Sequence, residues 1–380
     1  MAAGWSGNRR RHGTIWARVL LSAASLTLGL AAVEAAVRWR VGAPLLTAAN
    51  LLETDLSMLA SLVASEHDPM VGWAHRSNLC ALPGEEHRFT TGPCGLRMNG
   101  PAITTPAANA ILAVGDSFTE GTGVVDSETW PAFLERRLGR PVLNAGTGGW
   151  GPDQIVLRAE SLMPVLKPDT VVISFYIGGI ERAGFSVFAG GAKPYFVLEG
   201  DGLGIRNQPV PVFRASAENI GLARAVFGRS AAANLIMRGF GAEWWFNPGS
   251  VTRIEHGDGL EVTCRLLRRF KAVTGAARAR LVLVIQYAGE QLCGADEQPG
   301  DAKVLSRRAV ELGIETLDLW QALRDVRDQK GEAGLRRLFL GGPRSWKREH
   351  MSPSGNAMVA DLLAERLRAG SAIAASAASE

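Results

Sequence analysis

Short apolar runs that stop abruptly at Gly, Asp or Asn recur from about residue 110 onward, separated by stretches whose apolar positions repeat at helical spacing. "ILAVG" (111–115), "PVLNAG" (141–146), "DTVVISFYI" (169–177), "ARLVLVIQY" (279–287) and "IETLDL" (314–319) read as strands. Residues 128–138, 153–166, 259–273, 302–312 and 352–368 read as amphipathic helices. That alternation predicts an α/β domain of parallel strands joined by crossover helices.

The rhythm breaks twice. Residues 41–105 mix short apolar stretches with turns such as "HDPMVGW" and read as an irregular lead-in. Residues 184–255 read as an insertion, with a hairpin expected around 200–204 and a cluster of aromatics at "EWWFNPG". Placed after the third strand, this β-rich, aromatic segment would overhang the carboxyl edge of the sheet. Tyr195, Phe196, Trp244, Trp245 and Phe246 then form either a wall of a binding cleft or the insertion's own small core.

The N-terminus follows a different pattern. Arg9, Arg10, Arg11 and Arg18 precede a largely apolar run over residues 19–37, and those 19 residues approach the ~20 that cross a bilayer as a helix. Glu34 is expected near the far interface, within reach of water. Four arginines before the run against Arg38 and Arg40 after it place the N-terminus in the cytoplasm. The expected organisation is a tail and uncleaved transmembrane anchor at 1–40, the lead-in at 41–105, and the α/β domain at 106–380. The expectation is a single-pass inner-membrane protein with its main domain facing the periplasm, released in soluble form when residues 1–40 are removed.

Composition adds exclusions. With 41 basic against 37 acidic residues the 380-residue chain carries a net charge of +4 and has no basic stripe, which argues against a nucleic-acid partner. The four cysteines suit an oxidising compartment, with pairs Cys80–Cys94 and Cys264–Cys293 expected and buried free thiols as the alternative. No C-x-x-C or Cys/His cluster suggests a metal, and no organic cofactor is expected.

Candidate chemistry centres on "ILAVGDSFTEGTGV" (111–124), where Ser117 stands just past the carboxyl end of a buried strand. Open α/β sheets carry ligands and chemistry at that edge. Ser117 is either a nucleophile, with helix N-terminal N–H groups near it to receive negative charge, or simply a helix N-cap. "GDSFTEG", "NAGTGGWG", a strand ending in "FYIGG", and "HMSPSGNAMVADLLAERL" occur in an order and spacing that resemble the four signature blocks of the SGNH/GDSL hydrolase family. The anchor with "AAVEAAVRWR", together with "GPCGLRMNG" and "KPYFVLEGDGL", further resembles membrane-anchored bacterial members, some of which move acetyl groups on exported polysaccharides. The resemblance implies a three-layer α/β/α, flavodoxin-like parallel sheet. It also implies an ester hydrolase or acyl transferase acting on an acylated small molecule or glycan. Ser117 would attack, His350 would be the base, and the N–H groups of Ser117 and Gly149 would face the oxyanion.

Two departures from the family pattern stand out. The aspartate usually found two or three residues before the histidine is replaced by Arg348 and Lys347, which leaves Glu349, Glu181 or a backbone carbonyl to orient His350. The family's Gly-Asn-Asp becomes Gly178, Gly179 and Ile180, so the side-chain oxyanion donor is missing. Arg348→Asp and Gly179→Asn are therefore expected to raise turnover. Two alternatives follow: a degenerate member that binds a glycan or protein without turnover, and a lipase or thioesterase. "GDSFTEG" has neither the lysine of a nucleotide-binding loop nor G-x-G-x-x-G spacing.

Overall fold

The computed structural model describes residues 6–47, 49–52, 64–79, 89–100, 109–188, 190–212, 220–246, 253–294 and 296–377. They gather into two compact units. One comprises Met1–Ala60 with Arg214–Thr252, the other Ser61–Phe213 with Arg253–Glu380.

In chain order the elements begin with helix α1 (Ser6–Val41), strands β1 (Ser65–Asp68), β2 (Gly72–His75) and β3 (Ile111–Val114), and helices α2 (Ser117–Glu120) and α3 (Trp130–Leu138). Then come β4 (Val142–Asn144), α4 (Pro152–Leu166), β5 (Thr170–Tyr176), β6 (Phe185–Phe188), β7 (Gly191–Ala192), β8 (Tyr195–Glu199) and β9 (Gly202–Arg206). Three helices follow, α5 (Leu222–Phe227), α6 (Ala231–Phe240) and α7 (Ala242–Phe246), then β10 (Arg253–Glu255), α8 (Gly259–Ala276) and β11 (Arg280–Gln286). The chain closes with α9 (Gly289–Leu292), α10 (Gly300–Glu311), β12 (Glu315–Asp318), α11 (Trp320–Arg336) and α12 (Pro353–Ala377).

The larger unit is built on a five-stranded parallel sheet ordered β12-β11-β5-β3-β4. By appearance in the chain that is the order 2-1-3-4-5 of a doubly wound sheet, whose direction of winding reverses between β3 and β5. Every residue of β3 is buried, as are six of the seven in β11, because helices cover both faces and leave no polar side to the strands. Helix α3 packs on α12, while α4, α8 and α10 pack in series. The five expected strands and five expected helices are all present, and the expected hairpin is β8–β9, turning at Gly200 and Asp201.

Several features depart from expectation. The lead-in contains a regular antiparallel hairpin, β1–β2. Helix α11 was not foreseen: its charged sequence shows weak periodicity, and Gly331, at φ 67°, breaks it internally. The insertion divides between the two units. Its first part stays with the sheet unit, where β10 returns antiparallel to β6 and closes the excursion at its neck. Its aromatics are shared between the two units. Phe196 is buried and Tyr195 stacks on His256 in the sheet unit, whereas Trp245 is buried in the other unit, with Nε1 donating to Asn234 at 2.6 Å.

The expected Cys264–Cys293 bridge is absent, and both are free thiols. Cys264 lies in α8 beside Arg308 of α10, and Cys293, after α9, lies beside Lys347, so each turns to a different neighbour. Cys80, and with it the Cys80–Cys94 pairing, lies outside the described residues.

In the smaller unit, residues Ile15–Val41 of α1 form one apolar helix long enough to cross a membrane, with mean hydropathy 1.8 and no part of that window buried in protein. Glu34 has a protein partner where open water was expected. Its carboxylate accepts from Ser230 Oγ at 2.7 Å and from the N–H groups of Ala231 at 2.8 Å and Ala232 at 3.1 Å, capping α6. Arg38 completes the joint, bonding Glu34 at 2.6 Å and the carbonyl oxygens of Pro44 at 2.7 Å and Arg229 at 2.5 Å.

Candidate active site

The turn after β3 is built for close approach. A Cβ on Gly115 would lie 2.0 Å from Thr119 Oγ1, so only glycine lets the chain fold straight from strand into α2. Asp116 caps that helix, accepting from the Phe118 N–H at 2.9 Å, and reaches across to the Tyr176 N–H at 3.2 Å on β5. This ties the turn to the point where the sheet's winding reverses. Arg97, from the lead-in, holds the other end of α2: its buried guanidinium donates to the carbonyls of Glu120 and Gly121, both at 2.7 Å, and of Val124 at 2.6 Å, and pairs with Asp126 at 3.0 Å. Between these fixed ends Ser117 is half-buried.

His350 precedes α12 and meets the serine directly. Its Nε2 lies 2.8 Å from Ser117 Oγ; with the ring neutral and its proton on Nδ1, the hydroxyl donates to Nε2. The imidazole rests against Phe118, ring centres 5.1 Å apart, and Phe118 stacks on Tyr176 at 4.7 Å. Burial pushes the His350 pKa below its ordinary 6.5, the charge of Arg182 pushes the same way, and Glu120 and Glu349 pull against them. The imidazole is therefore in its accepting form at neutral pH.

The loop after β4 supplies backbone donors. Glu120 Oε1 accepts from Gly148 N–H at 3.0 Å, Trp73 of β2 donates to the Gly148 carbonyl at 3.0 Å, and Trp150 returns a bond to the Trp73 carbonyl at 3.0 Å. Gly149, at φ 79°, stands half-exposed in the middle of this brace. Among the described residues, the N–H groups of Ser117 and Gly149 have no acceptor in the protein. Glu120 is buried, and burial opposes its ionisation. Contacts with His75, Thr122 and Arg97 nonetheless hold its pKa down to about 2. The His75 contact, 2.8 Å between Nε2 and Oε1, lacks hydrogen-bond alignment.

The expected orienting acids are not hydrogen-bonded to the histidine. Glu349 acts on His350 through its charge alone, and Glu181 is exposed, its backbone packed against Gly259. Among the described residues no carboxylate bonds to His350 Nδ1. Arg348 is 86% exposed and pairs with Glu290 at 3.2 Å, while Lys347 pairs with Glu332 at 3.4 Å. An aspartate at 348 would thus face Glu290, and the expected gain from Arg348→Asp is withdrawn.

Arg182 was missed by the reading of the sequence, although "FYIGGIERAG" contains it. A Cβ on Gly179 would lie 3.2 Å from its Cζ, so the guanidinium crowds any side chain placed at 179. One nitrogen donates to the Trp150 carbonyl at 3.3 Å, and the group lies over the Phe188 ring at 4.6 Å. Its charge bears on Asp116, Tyr176 and His350. Burial raises Asp116 to about 6, with Arg182 and the two N–H donors opposing. The main chain of Arg182 is pinned as well, because Lys193 Nζ donates to its carbonyl at 2.9 Å and to those of Phe185 at 2.9 Å and Pro194 at 3.0 Å, and pairs with fully buried Asp153.

No protein-family model matches the chain, and no curated protein does. Solved structures that resemble it include an acetylxylan esterase from Geobacillus stearothermophilus at 15% identity, covering 70% of this chain and 96% of that one with a TM-score of 0.40. A lipase/acylhydrolase from Enterococcus faecalis matches at 15% identity, 69% and 96% coverage and a TM-score of 0.39. A lipolytic protein of the G-D-S-L family from Desulfitobacterium hafniense matches at 15% identity, 68% and 99% coverage and a TM-score of 0.37.

Proposed function

We propose that this protein is a membrane-anchored serine ester hydrolase of the SGNH type. The observation that carries the reading is the 2.8 Å contact between Ser117 Oγ and His350 Nε2 at the winding reversal of the sheet, beside two unengaged backbone N–H groups. Ser117 Oγ bonds to the ester carbonyl carbon as its proton passes to His350, and the carbonyl π electrons move onto the oxygen. Collapse of that oxyanion expels the alkoxide, which takes the proton from His350. Water then repeats the sequence on the acyl-serine, releasing the acid and restoring the hydroxyl. A sugar hydroxyl in place of water makes the same machinery an acyl transferase.

The finer reading is O-acyl chemistry, with acetyl as the acyl group, on cell-envelope or exported glycans from the periplasmic side of the inner membrane. It is supported by α1 and by the smaller unit's surface, where Leu222, Val226, Phe227, Leu235, Ile236, Phe240 and Trp244 are all exposed. The full chain in detergent micelles is expected to react with a fluorophosphonate probe, and Ser117→Ala to abolish labelling. That no carboxylate among the described residues bonds to His350 Nδ1 favours one other reading, a binding module. A folded parent that never labels would decide for that module.

A further inference from the structure

Acyl transfer through serine places a full negative charge on the former carbonyl oxygen, and two backbone N–H groups alone leave that charge short of a donor. The position where the family pattern has an asparagine is Gly179, and the Arg182 guanidinium packs tightly against the point where a Cβ at 179 would stand. We propose that Arg182 is a catalytic residue that takes over the missing side-chain role, donating to the oxyanion alongside the N–H groups of Ser117 and Gly149. The assignment rests on the reading of Ser117 as the nucleophile.

Three observations carry it. First, the guanidinium is tied to the carbonyl of Trp150, the residue next to Gly149, and its charge reaches both Asp116, adjacent to Ser117, and His350. Second, the side chain is partly spare. Among the described residues its one hydrogen bond is that to Trp150, so donors remain for a ligand among the five that a guanidinium carries. Third, its position is fixed from behind by the Phe188 ring and by the Lys193 clamp on its carbonyl, which gives the preorganisation an oxyanion donor requires. Because arginine stays charged, it opposes the developing anion with a full positive charge where an amide offers only a dipole. The same charge disfavours protonation of the adjacent His350 in the resting state and so keeps it a base.

The test is a double-mutant cycle on the full chain in detergent micelles, with p-nitrophenyl acetate as substrate, circular dichroism to check the fold, and kcat and KM read separately. Arg182→Ala is expected to lower kcat about 100- to 1,000-fold, the range for losing one oxyanion donor, with KM little changed. Millimolar guanidinium ion should restore part of the kcat of Arg182→Ala and none of Ser117→Ala. Gly179→Asn should impair the parent, because its side chain enters space the guanidinium holds, yet raise kcat in the Arg182→Ala background. That reversal of sign is a coupling that a merely structural arginine would not produce. An active parent whose kcat changes less than threefold in Arg182→Ala overturns the assignment alone. So does a folded Arg182→Ala that neither guanidinium nor Gly179→Asn rescues. A parent inert to both ester and fluorophosphonate overturns the hydrolase reading and this assignment together.

Discussion

His350 faces the Ser117 hydroxyl and, among the described residues, has no carboxylate hydrogen-bonded behind it, so stabilisation of its imidazolium falls to charges acting at a distance. Glu120, held ionised with a pKa of about 2, and Glu349 favour the cation; burial and Arg182 oppose it, and the balance lies below 6.5. A base that must be neutral to work gives activity that rises with pH through its pKa. The acid limb of kcat/KM is therefore expected to have its midpoint below 6.5, measured with an aryl acetate from pH 4 to 8. Asp116, at about 6, is the other site group that titrates in this range. Asp116→Asn keeps an oxygen to cap Phe118 but cannot ionise, so the limb should survive in it. A limb that disappears in Asp116→Asn would assign the ionisation to the aspartate and remove His350 as the source of the profile.

The elements that position the site come from opposite ends of what a sequence makes legible. The five sheet strands could be read because burial on both faces makes them continuous apolar runs, and Ser117 and His350 because they lie within local motifs. Arg97, Lys193 and Arg182 could not be read that way. Each looks like an ordinary surface cation until the fold brings distant carbonyls around it, as when Lys193 meets Asp153 of α4 across 40 positions. The lead-in hairpin was hidden for the same reason, since β1 and β2 are only four residues long and their value lies in Trp73 bracing the Gly148 loop. Lys193 gives the element-scale prediction. Lys193→Met leaves the Asp153 carboxylate buried and unpaired, a change that costs about 3–5 kcal/mol. Pairing it with Asp153→Leu should recover most of that loss, because a matched apolar pair carries no buried charge. Urea unfolding of the full chain in micelles reads both, and equal stability of the single and double variants would show that the ion pair is not what holds this corner.

At the scale of the whole molecule, the N-terminal helix and the second part of the insertion are distant in sequence but form one unit. Removing residues 1–40 takes away Glu34 and with it the acceptor for Ser230, Ala231 and Ala232 at the start of α6. It also leaves Leu222, Val226, Phe227, Leu235, Ile236, Phe240 and Trp244 exposed without the helix they accompany. The sequence alone suggested that this truncation would release a soluble domain; the structure predicts that the product associates through those side chains. The sheet unit has its own core and its own five-stranded sheet, and β10, which follows the excised segment, pairs with β6 inside that unit. Deleting residues 1–60 and replacing residues 214–252 by a short Gly/Ser linker should therefore yield a monodisperse protein that still labels at Ser117 with fluorophosphonate. Size-exclusion chromatography of the two truncations side by side, in buffer without detergent, makes the comparison. A monodisperse single truncation would show that the inserted helices need neither α1 nor a lipid surface. A double truncation that is folded but unlabelled would show that the smaller unit contributes to the chemistry as well as to the anchor.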